Sequence, residues 1–394
     1  MKIILVHNYY QSSSPSGEDT VFENEKKLLE DRGVDVVTYT RHNDEILIYN
    51  VFEKFKLSFE NIWSTKTYNE LKMILEKEKP DICHFHNIFY LISPSGYNAC
   101  KDMGIPVVQT LHNYRFFCIN GLLMKDGMVC ENCLGSTPWR GAFYGCYRNS
   151  RIHSLPLAIM STIHRLKGTW YNLIDAYIAL TDFSRSKFIK AGLPKDRIFV
   201  KPNFLLNQAG PSYDSEEYGI FLGRLSKEKG LNTLIDAIKI CAMNDIRFSL
   251  KIVGDGSLRS DLEGITNIQG MEFLGRQSDD VCTQMLCNSS FMVLPSMCYE
   301  GFPLSLGEAY ASGKPIIASR LGAMEELIED GKTGLLFEPG NADDLAAKMQ
   351  WMFEHKDACT QMGKNARKVF EEKYTAKKNY QMLMNIYETV LNRH

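Results

Sequence analysis

Nowhere in the 394 residues does an apolar run approach the roughly 18 that cross a bilayer, so no spanning helix is expected. The first apolar run, Ile3–Val6, is too short for an export-signal core and reads as a strand. Net charge is almost absent: 45 basic side chains against 47 acidic ones leave −2. Low-complexity tracts and short-period repeats are missing, which excludes a collagen, a coiled-coil rod and a largely disordered chain. There is no Asp-x-Asp metal motif. Disulfide pairing is disfavoured, because the 11 cysteines are odd in number and no export signal precedes them. They read as thiols or metal ligands in a reducing cytoplasm.

What is present is an ordinary globular composition, 44% hydrophobic and 23% charged. At about 150 residues per domain, the length predicts two or three domains. The small net charge hides an uneven distribution. Residues 101–210 carry 14 basic and 6 acidic side chains, net +8, while the flanking stretches are acidic. A basic block of this kind implies an anionic partner: phosphate, a phospholipid surface or nucleic acid.

Short apolar runs alternate with longer amphipathic segments. Ile3–Val6, Val34–Tyr39, Asp81–Phe85, Pro106–Leu111, Ala176–Leu180 and Ile198–Val200 read as strands. Val21–Arg32 and Leu71–Lys79 read as helices. The polar stretch Leu205–Glu217, which contains Gly-Pro, reads as a linker. A second series of strands follows at Gly219–Leu222, Phe248–Val253, Glu272–Leu274, Phe291–Leu294, Pro315–Ala318 and Leu335–Phe337. Ala376–Leu391 closes the chain as an amphipathic helix. This alternation predicts an α/β protein with parallel sheets. Ligands of such sheets bind at the carboxyl ends of the strands, and those ends are polar here, as in His84-Phe85-His86-Asn87 and His112-Asn113. Two polar rims facing each other would make a cleft.

Three segments carry chemistry. In YEGFPLSLGEAYASGKPIIAS, Glu300 and Glu308 have seven residues between them, with Glu300 before a helix that starts near Pro303 and Glu308 inside it. On one helix they would lie about 12 Å apart, so they serve two parts of an extended ligand, not one acid/base pair. The backbone of Gly301, Phe302, Pro303 and Leu304 lies at the helix N-terminus, which favours an anion. In GRLSKEKG, directly after a strand, Arg224 can grip phosphate as a fork, Lys229 adds a point charge, and Gly230 allows close backbone approach. Gly254-Asp255-Gly256 is a glycine turn from strand to helix. Taken singly, each of the three is compatible with an ordinary solvated surface.

Together, in this order, these segments resemble the donor domain of retaining glycosyltransferase family four, and Asp330-Gly331-Lys332-Thr333-Gly334-Leu335-Leu336 fits too. The first half is similar as well, in Gly17-Glu18, His84-x-His86-Asn87, Thr110-Leu111-His112 and Pro202-Asn203. The resemblance implies the GT-B fold, two Rossmann-like doubly wound domains facing a central cleft. It implies an acceptor-side domain over 1–205 with a cysteine-rich insert near 113–150, and a donor domain over 206–375. The helix over 376–394 is expected to return to the first domain. By the same resemblance, Arg224 and Lys229 would hold the donor diphosphate, and Glu308 the ribose. Glu300 would meet the donor sugar, the Gly301–Leu304 backbone the sugar and phosphate, and His112 the transferred sugar. Gly17 and Asn203 match donor-binding positions, and Glu326 aligns with a later glutamate. The family's Gly-Gly pairs are altered to Ser16-Gly17 and to Gly322-Ala323 here.

The expected activity is therefore a retaining glycosyl transfer from a nucleotide diphosphate sugar, with no cofactor needed for catalysis. The acceptor would be a glycan, possibly lipid-linked, in surface glycan assembly. A nucleotide-sugar epimerase of the same fold and an inactive sugar-nucleotide-binding module are the alternatives. Cys118, Cys130, Cys133 and Cys146 form C-x11-C-x2-C-x12-C, which suits a structural zinc; four reduced thiols are the plainer reading. Arg140, Arg148, Arg151, His164, Arg165 and Lys167 interleave with aromatic and aliphatic residues, and Leu157–Tyr171 reads as an amphipathic helix. Such a helix lies on an anionic membrane or packs on its own sheet. That predicts a cytoplasmic protein, peripheral at the inner face of the cell membrane if the first reading holds. Nucleic acid is disfavoured for want of a binding motif. His84 and His86, two apart on a strand, share a face, where structural hydrogen bonding is a better reading than metal.

Overall fold

A computed structural model describes the chain except residues 15, 207–209, 245, 247–248 and 264–267; Phe248 of the expected strand and part of the expected linker thus lie outside the described residues. The chain divides into two compact units. Unit 1 holds Met1–Leu123, Glu131–Pro202 and Asn379–His394; unit 2 holds Met124–Cys130 and Asn203–Lys378.

Among the described residues, unit 1 is built on six parallel strands: β1 Lys2–Tyr9, β2 Asp35–His42, β3 Ile82–Phe85, β4 Val107–Leu111, then β7 Ala176–Ala179 and β8 Ile198–Val200. A small antiparallel hairpin, β5 Met124–Lys125 and β6 Met128–Val129, intervenes in the chain. The sheet order is β2-β1-β3-β4-β7-β8. Strands β3, β4 and β7 are buried along their whole length and are mainly apolar, with the buried polar side chains of His84, Gln109 and Thr110 hydrogen-bonded internally. The helix Gly17–Asp31 starts on a capping box, with Ser16 as N-cap and Asp19 reaching back, and it buries Phe22, Leu28 and Leu29. The helix Ala376–Leu391 belongs to the same core through Leu383, Ile386, Tyr387 and Val390.

Unit 2 repeats the plan with β9 Gly219–Leu222, β10 Leu250–Val253, β11 Met271–Gly275, β12 Phe291–Leu294, β13 Ile316–Ser319 and β14 Gly334–Phe337, in the order β11-β10-β9-β12-β13-β14. In both sheets the first strand is central, the chain runs to one side of it, and the next strand is laid on the other side. That places a switch point between β1 and β3, and another between β9 and β12, where doubly wound sheets open a crevice for ligands.

The expected helix Leu157–Tyr171 is displaced. Ser150 caps a helix over Arg151–Leu166, and Gly168, at φ +66°, ends it before a short turn over Thr169–Asn172. Pro156 stands inside this helix, not before it; the Ser150 cap and the packed apolar face override its missing N–H. His164 does not join a basic face. It is buried between Thr169 Oγ1 and the carbonyl of Ile62, and burial lowers its pKa. Arg165 is likewise engaged, donating to the carbonyl of Ser136.

Candidate functional site

In unit 2 the loops after β9 and β12 are locked together. The N–H of Met297 donates to Glu228 O at 2.8 Å. Gly230 takes φ +70° and lies so close that a Cβ would stand 1.7 Å from Pro295 O, so no other residue fits without moving a strand end. The N–H of Gly254 donates to Gly275 O, and a Cβ on Gly254 would fall 1.9 Å from Gly223 O. These close approaches, not ligand contacts alone, explain the glycines of both motifs.

This packing delivers Lys229 to Glu300. Their Nζ and Oε1 are 2.7 Å apart, and Ser296 Oγ donates to the same oxygen at 2.7 Å. Burial would push Glu300 up, but the Lys229 ammonium and the Ser296 bond hold it below the usual carboxylate range. Burial would likewise lower Lys229, but Glu300 holds it up, so both groups are charged at neutral pH. Arg224 is more exposed and pairs with Glu228 at 3.2 Å.

Glu300 lies in the loop before the helix Leu304–Ala311, with Pro303 as the N-cap residue, and Glu308 stands in the second turn. Among the described residues the N–H groups of Gly301 and Phe302 have no hydrogen-bond partner, and Leu304 begins a helix in whose first turn Leu306 N–H donates to Pro303 O at 3.1 Å. Asn203 is buried and donates from Nδ2 to Phe302 O at 3.0 Å, so its contact is with the loop backbone. The Phe302 ring packs against Tyr374. Burial, helped by the charge of Asp279, pushes Glu308 up to about 7. Asp330 pairs with Arg320 and accepts from Leu336 N, and Thr333 bonds Tyr310, so the 330–336 stretch is a turn-forming element.

Unit 1 gathers its polar groups at its own switch point. His84 and His86 leave β3 on one face, and both meet Glu25 Oε1 at 3.1 Å. Lys201 Nζ donates to Glu25 Oε2 at 2.8 Å and to Asn379 Oδ1 at 3.1 Å. His84 Nδ1 also lies 2.8 Å from the Tyr387 hydroxyl. His86 Nδ1 lies 3.0 Å from His112 Nε2. Glu25 is fully buried and Lys201 nearly so. Burial would raise the Glu25 pKa, but Lys201 and the two imidazoles hold it well below the usual range. Burial pushes His86 down to about 3 and His112 well below its usual value.

Glu25, His84 and His86 are the one group of potential metal ligands gathered within 4.8 Å among the described residues. The ammonium on the second Glu25 oxygen opposes a cation there, and the hydrogen bonds already complete the group. No three of the four cysteines gather in this way among the described residues. Cys118 is buried with Sγ on Asn120 Oδ1 at 3.0 Å, and Cys130, Cys133 and Cys146 are half-buried. Gly17 begins the first helix. Glu18 is half-buried and accepts from Asn113 Nδ2 at 2.8 Å. Sequence reasoning missed Glu25, Lys201 and the Glu18–Asn113 bond. A glutamate among lysines in an amphipathic helix carries no signal of burial; only its place on the apolar face beside Phe22 and Leu29 does.

Comparison with known proteins agrees with this geometry. Residues 15–205 match the family model described as Glycosyltransferase Family 4, and residues 205–369 match Glycosyl transferases group 1. The chain is 31% identical over 342 residues to N-acetyl-alpha-D-glucosaminyl L-malate synthase of Bacillus anthracis, covering 82% of this chain and 78% of that protein. It is 28% identical over 328 residues to an uncharacterized glycosyltransferase of Methanocaldococcus jannaschii, covering 81% and 86%. Among solved structures, HepE of Anabaena in complex with UDP-glucose matches with a TM-score of 0.67 at 19% identity, over 98% of this chain and 100% of that one. Sucrose-phosphate synthase of Thermosynechococcus elongatus matches with a TM-score of 0.69 at 18% identity, over 100% of each chain. At such identities these are likenesses of fold, and the fold of the two parallel-sheet domains is GT-B.

The Lys229–Glu300 pair has a testable pH signature. Because the folded pKa of Glu300 lies below 4.5, its contribution to stability is full above that value and is lost as pH falls. Lys229→Met leaves only the Ser296 bond and the Arg224 charge against burial, so the Glu300 pKa rises and its contribution to stability at neutral pH shrinks. The gap in unfolding midpoint between wild type and Lys229→Met is expected to narrow as pH falls from about 7 to about 4. A gap that does not change with pH counts against the pair.

Proposed function

The chain belongs to the glycosyltransferases of family 4 and group 1, and we propose that it is a retaining enzyme that moves a hexose-type sugar from a nucleotide diphosphate sugar to a sugar-containing acceptor. The observation that carries this reading is the half-buried Lys229–Glu300 pair at the switch point, beside the unpartnered N–H groups of Gly301 and Phe302. Breaking the bond to a diphosphate leaves negative charge on the leaving group. Lys229, Arg224 and the start of the helix Leu304–Ala311 would stabilise that charge without a divalent ion.

Glu300 is already engaged by Lys229 and Ser296, so its role is to orient the sugar, not to attack it. Retention then follows from attack on the face the leaving group departs from, with the leaving phosphate oxygen taking the acceptor proton. Glu308 would accept hydrogen bonds from the ribose hydroxyls, and His112 would meet a hydroxyl of the transferred sugar. The Methanocaldococcus relative is named a glycosyltransferase and both family models are of glycosyltransferases, which favours transfer over epimerisation.

The direct experiment is a screen of nucleotide sugars for thermal stabilisation, followed by turnover with glycan acceptors. Lys229→Ala and Arg224→Ala are each expected to lower turnover by about one to three powers of ten, the scale for losing one electrostatic stabiliser. Near-normal turnover in both removes the diphosphate assignment.

Glu308 adds a pH test. Its carboxyl titrates near 7, and only the carboxylate accepts fully from two hydroxyls. Affinity for a nucleotide sugar, measured by calorimetry, is expected to rise from pH 6 to pH 8. In Glu308→Gln it should stay flat and be about tenfold weaker at pH 8, the cost of a lost charged hydrogen bond. Identical pH profiles would show that Glu308 does not touch the ribose.

We extend the proposal to a lipid-linked acceptor at an anionic membrane surface. No helix among the described residues is long and apolar enough to cross a membrane. Trp139, Phe143, Tyr144, Ile152 and Leu155 are exposed on unit 1, and Ile152 keeps 82% of its surface accessible. Arg151 lies over the Phe143 ring and Arg148 over Tyr147, so cations frame the apolar group. Each such cation contributes about 1 kcal/mol at an anionic leaflet, screened within a Debye length. The protein is expected to co-sediment with anionic vesicles at low salt, to ignore neutral ones, and to dissociate as salt rises. Changing Arg148, Arg151 and Lys167 to glutamate should abolish sedimentation while nucleotide-sugar affinity persists. Absence of binding at low salt would mean that the acceptor comes to a soluble enzyme.

A further inference from the structure

The buried groups of unit 1 form a directed chain. An ionised carboxylate only accepts hydrogen bonds, so the His86 Nε2 facing Glu25 must carry the proton. A neutral imidazole protonated at Nε2 has a lone pair at Nδ1. That lone pair faces His112 Nε2 at 3.0 Å, so His112 must donate from Nε2, and its own Nδ1 is left as an acceptor. The direction starts from Glu25, whose charge Lys201 secures. His112 is half-buried, and among the described residues its Nδ1 has no hydrogen-bond partner.

We propose that Glu25 and His86 are positioning residues that fix His112 in the Nε2–H tautomer, so that Nδ1 offers a lone pair to a hydroxyl of the bound sugar. The inference rests on the reading that His112 meets the transferred sugar, and it adds a rule of selection. A lone pair at Nδ1 accepts from a hydroxyl and repels a carboxylate oxygen, so a sugar that turns a hydroxyl toward His112 is favoured over one that turns a carboxylate there. The opposite tautomer would present an N–H and invert the preference. Burial of the whole chain keeps the imidazoles neutral, so the arrangement persists across the neutral range.

Of the groups around this chain, His84 bonds Tyr387 and Thr110, and His7 bonds Asp19 at 2.8 Å; neither is hydrogen-bonded to His112. His86 is thus the link whose replacement separates positioning from packing. Glutamine at position 86 can reproduce the pattern, with its amide N–H toward Glu25 and its carbonyl toward His112. Phenylalanine keeps the ring and offers neither.

The test is long-range proton–nitrogen correlation of ¹⁵N-histidine-labelled protein, together with kinetics. In ligand-free wild type, His112 should show a protonated Nε2 and an unprotonated Nδ1, unchanged between pH 6 and pH 8. His86→Phe should turn His112 into a mixture of tautomers, and His86→Gln should restore one. With the best nucleotide sugar from the screen, kcat/KM is expected to fall about ten- to a hundredfold in His86→Phe, the scale for losing an orienting partner, and to recover largely in His86→Gln. A wild-type His112 protonated at Nδ1 overturns the proposal outright. So does a folded His86→Phe protein whose His112 keeps one tautomer. If His86→Phe does not fold, the wild-type spectrum and His86→Gln still decide. The spectra need no ligand, so failure of the glycosyl-transfer reading would appear separately, as the absence of any nucleotide-sugar turnover.

Discussion

The carboxylate of Glu25 has no water to rely on, and much of unit 1 is arranged to answer it. Removing one partner from a buried ion pair costs about 3–5 kcal/mol, so Lys201 cannot be exchanged lightly. The carboxylate draws Lys201 in from just after β8, His84 and His86 from β3, and, through Lys201, Asn379 from the final helix. Hydrophobic packing would tolerate several exchanges at one core position. A buried charge with three donors does not, and it ties β3, the segment just after β8 and the first helix to one another.

The two units use the same sheet plan with opposite electrostatic finish. In unit 1 the switch point is filled by a network in which the Glu25 and Lys201 charges pair, and among the described residues the Nδ1 of His112 has no hydrogen-bond partner. In unit 2 the switch point holds a half-buried ion pair, a more exposed arginine and backbone donors that have no partner among the described residues. The first arrangement suits recognition of neutral hydroxyls; the second suits charge that grows during reaction. Loop chemistry at the strand ends, not sheet topology, makes the difference.

Most strands were legible because parallel strands buried on both faces are written as short apolar runs between turn residues. The unit 2 site was legible because its parts lie in two compact segments, 223–230 and 300–308, whose glycines and cations sit close together in the chain. The Glu25 network was not, because its members come from five separated stretches and each alone resembles a common surface or strand-end residue. The basic helix was misplaced for a local reason: Ser150 supplies the cap six residues before Pro156, and Gly168 supplies the end. His164 and Arg165 were counted in the basic block, but tertiary contacts with Ile62 and Ser136 engage them. Spacing along a helix reports which residues share a face and says nothing of what lies against it.

The return of the helix Ala376–Leu391 to unit 1 has a consequence for biosynthesis. Leu383, Ile386, Tyr387 and Val390 fill the core against Ile3, Leu5, Phe22 and Ile82, and Tyr387 reaches His84. A ribosome emits the first domain's sheet long before it emits these side chains. Until then an apolar groove beside β1 and β3 stays open, and the second domain, whose core is contiguous from Phe221 to Met362, can complete itself first. The domain translated earliest is therefore finished last. Through the whole synthesis of the second domain that groove is exposed apolar surface of the kind that makes a nascent chain prone to aggregate.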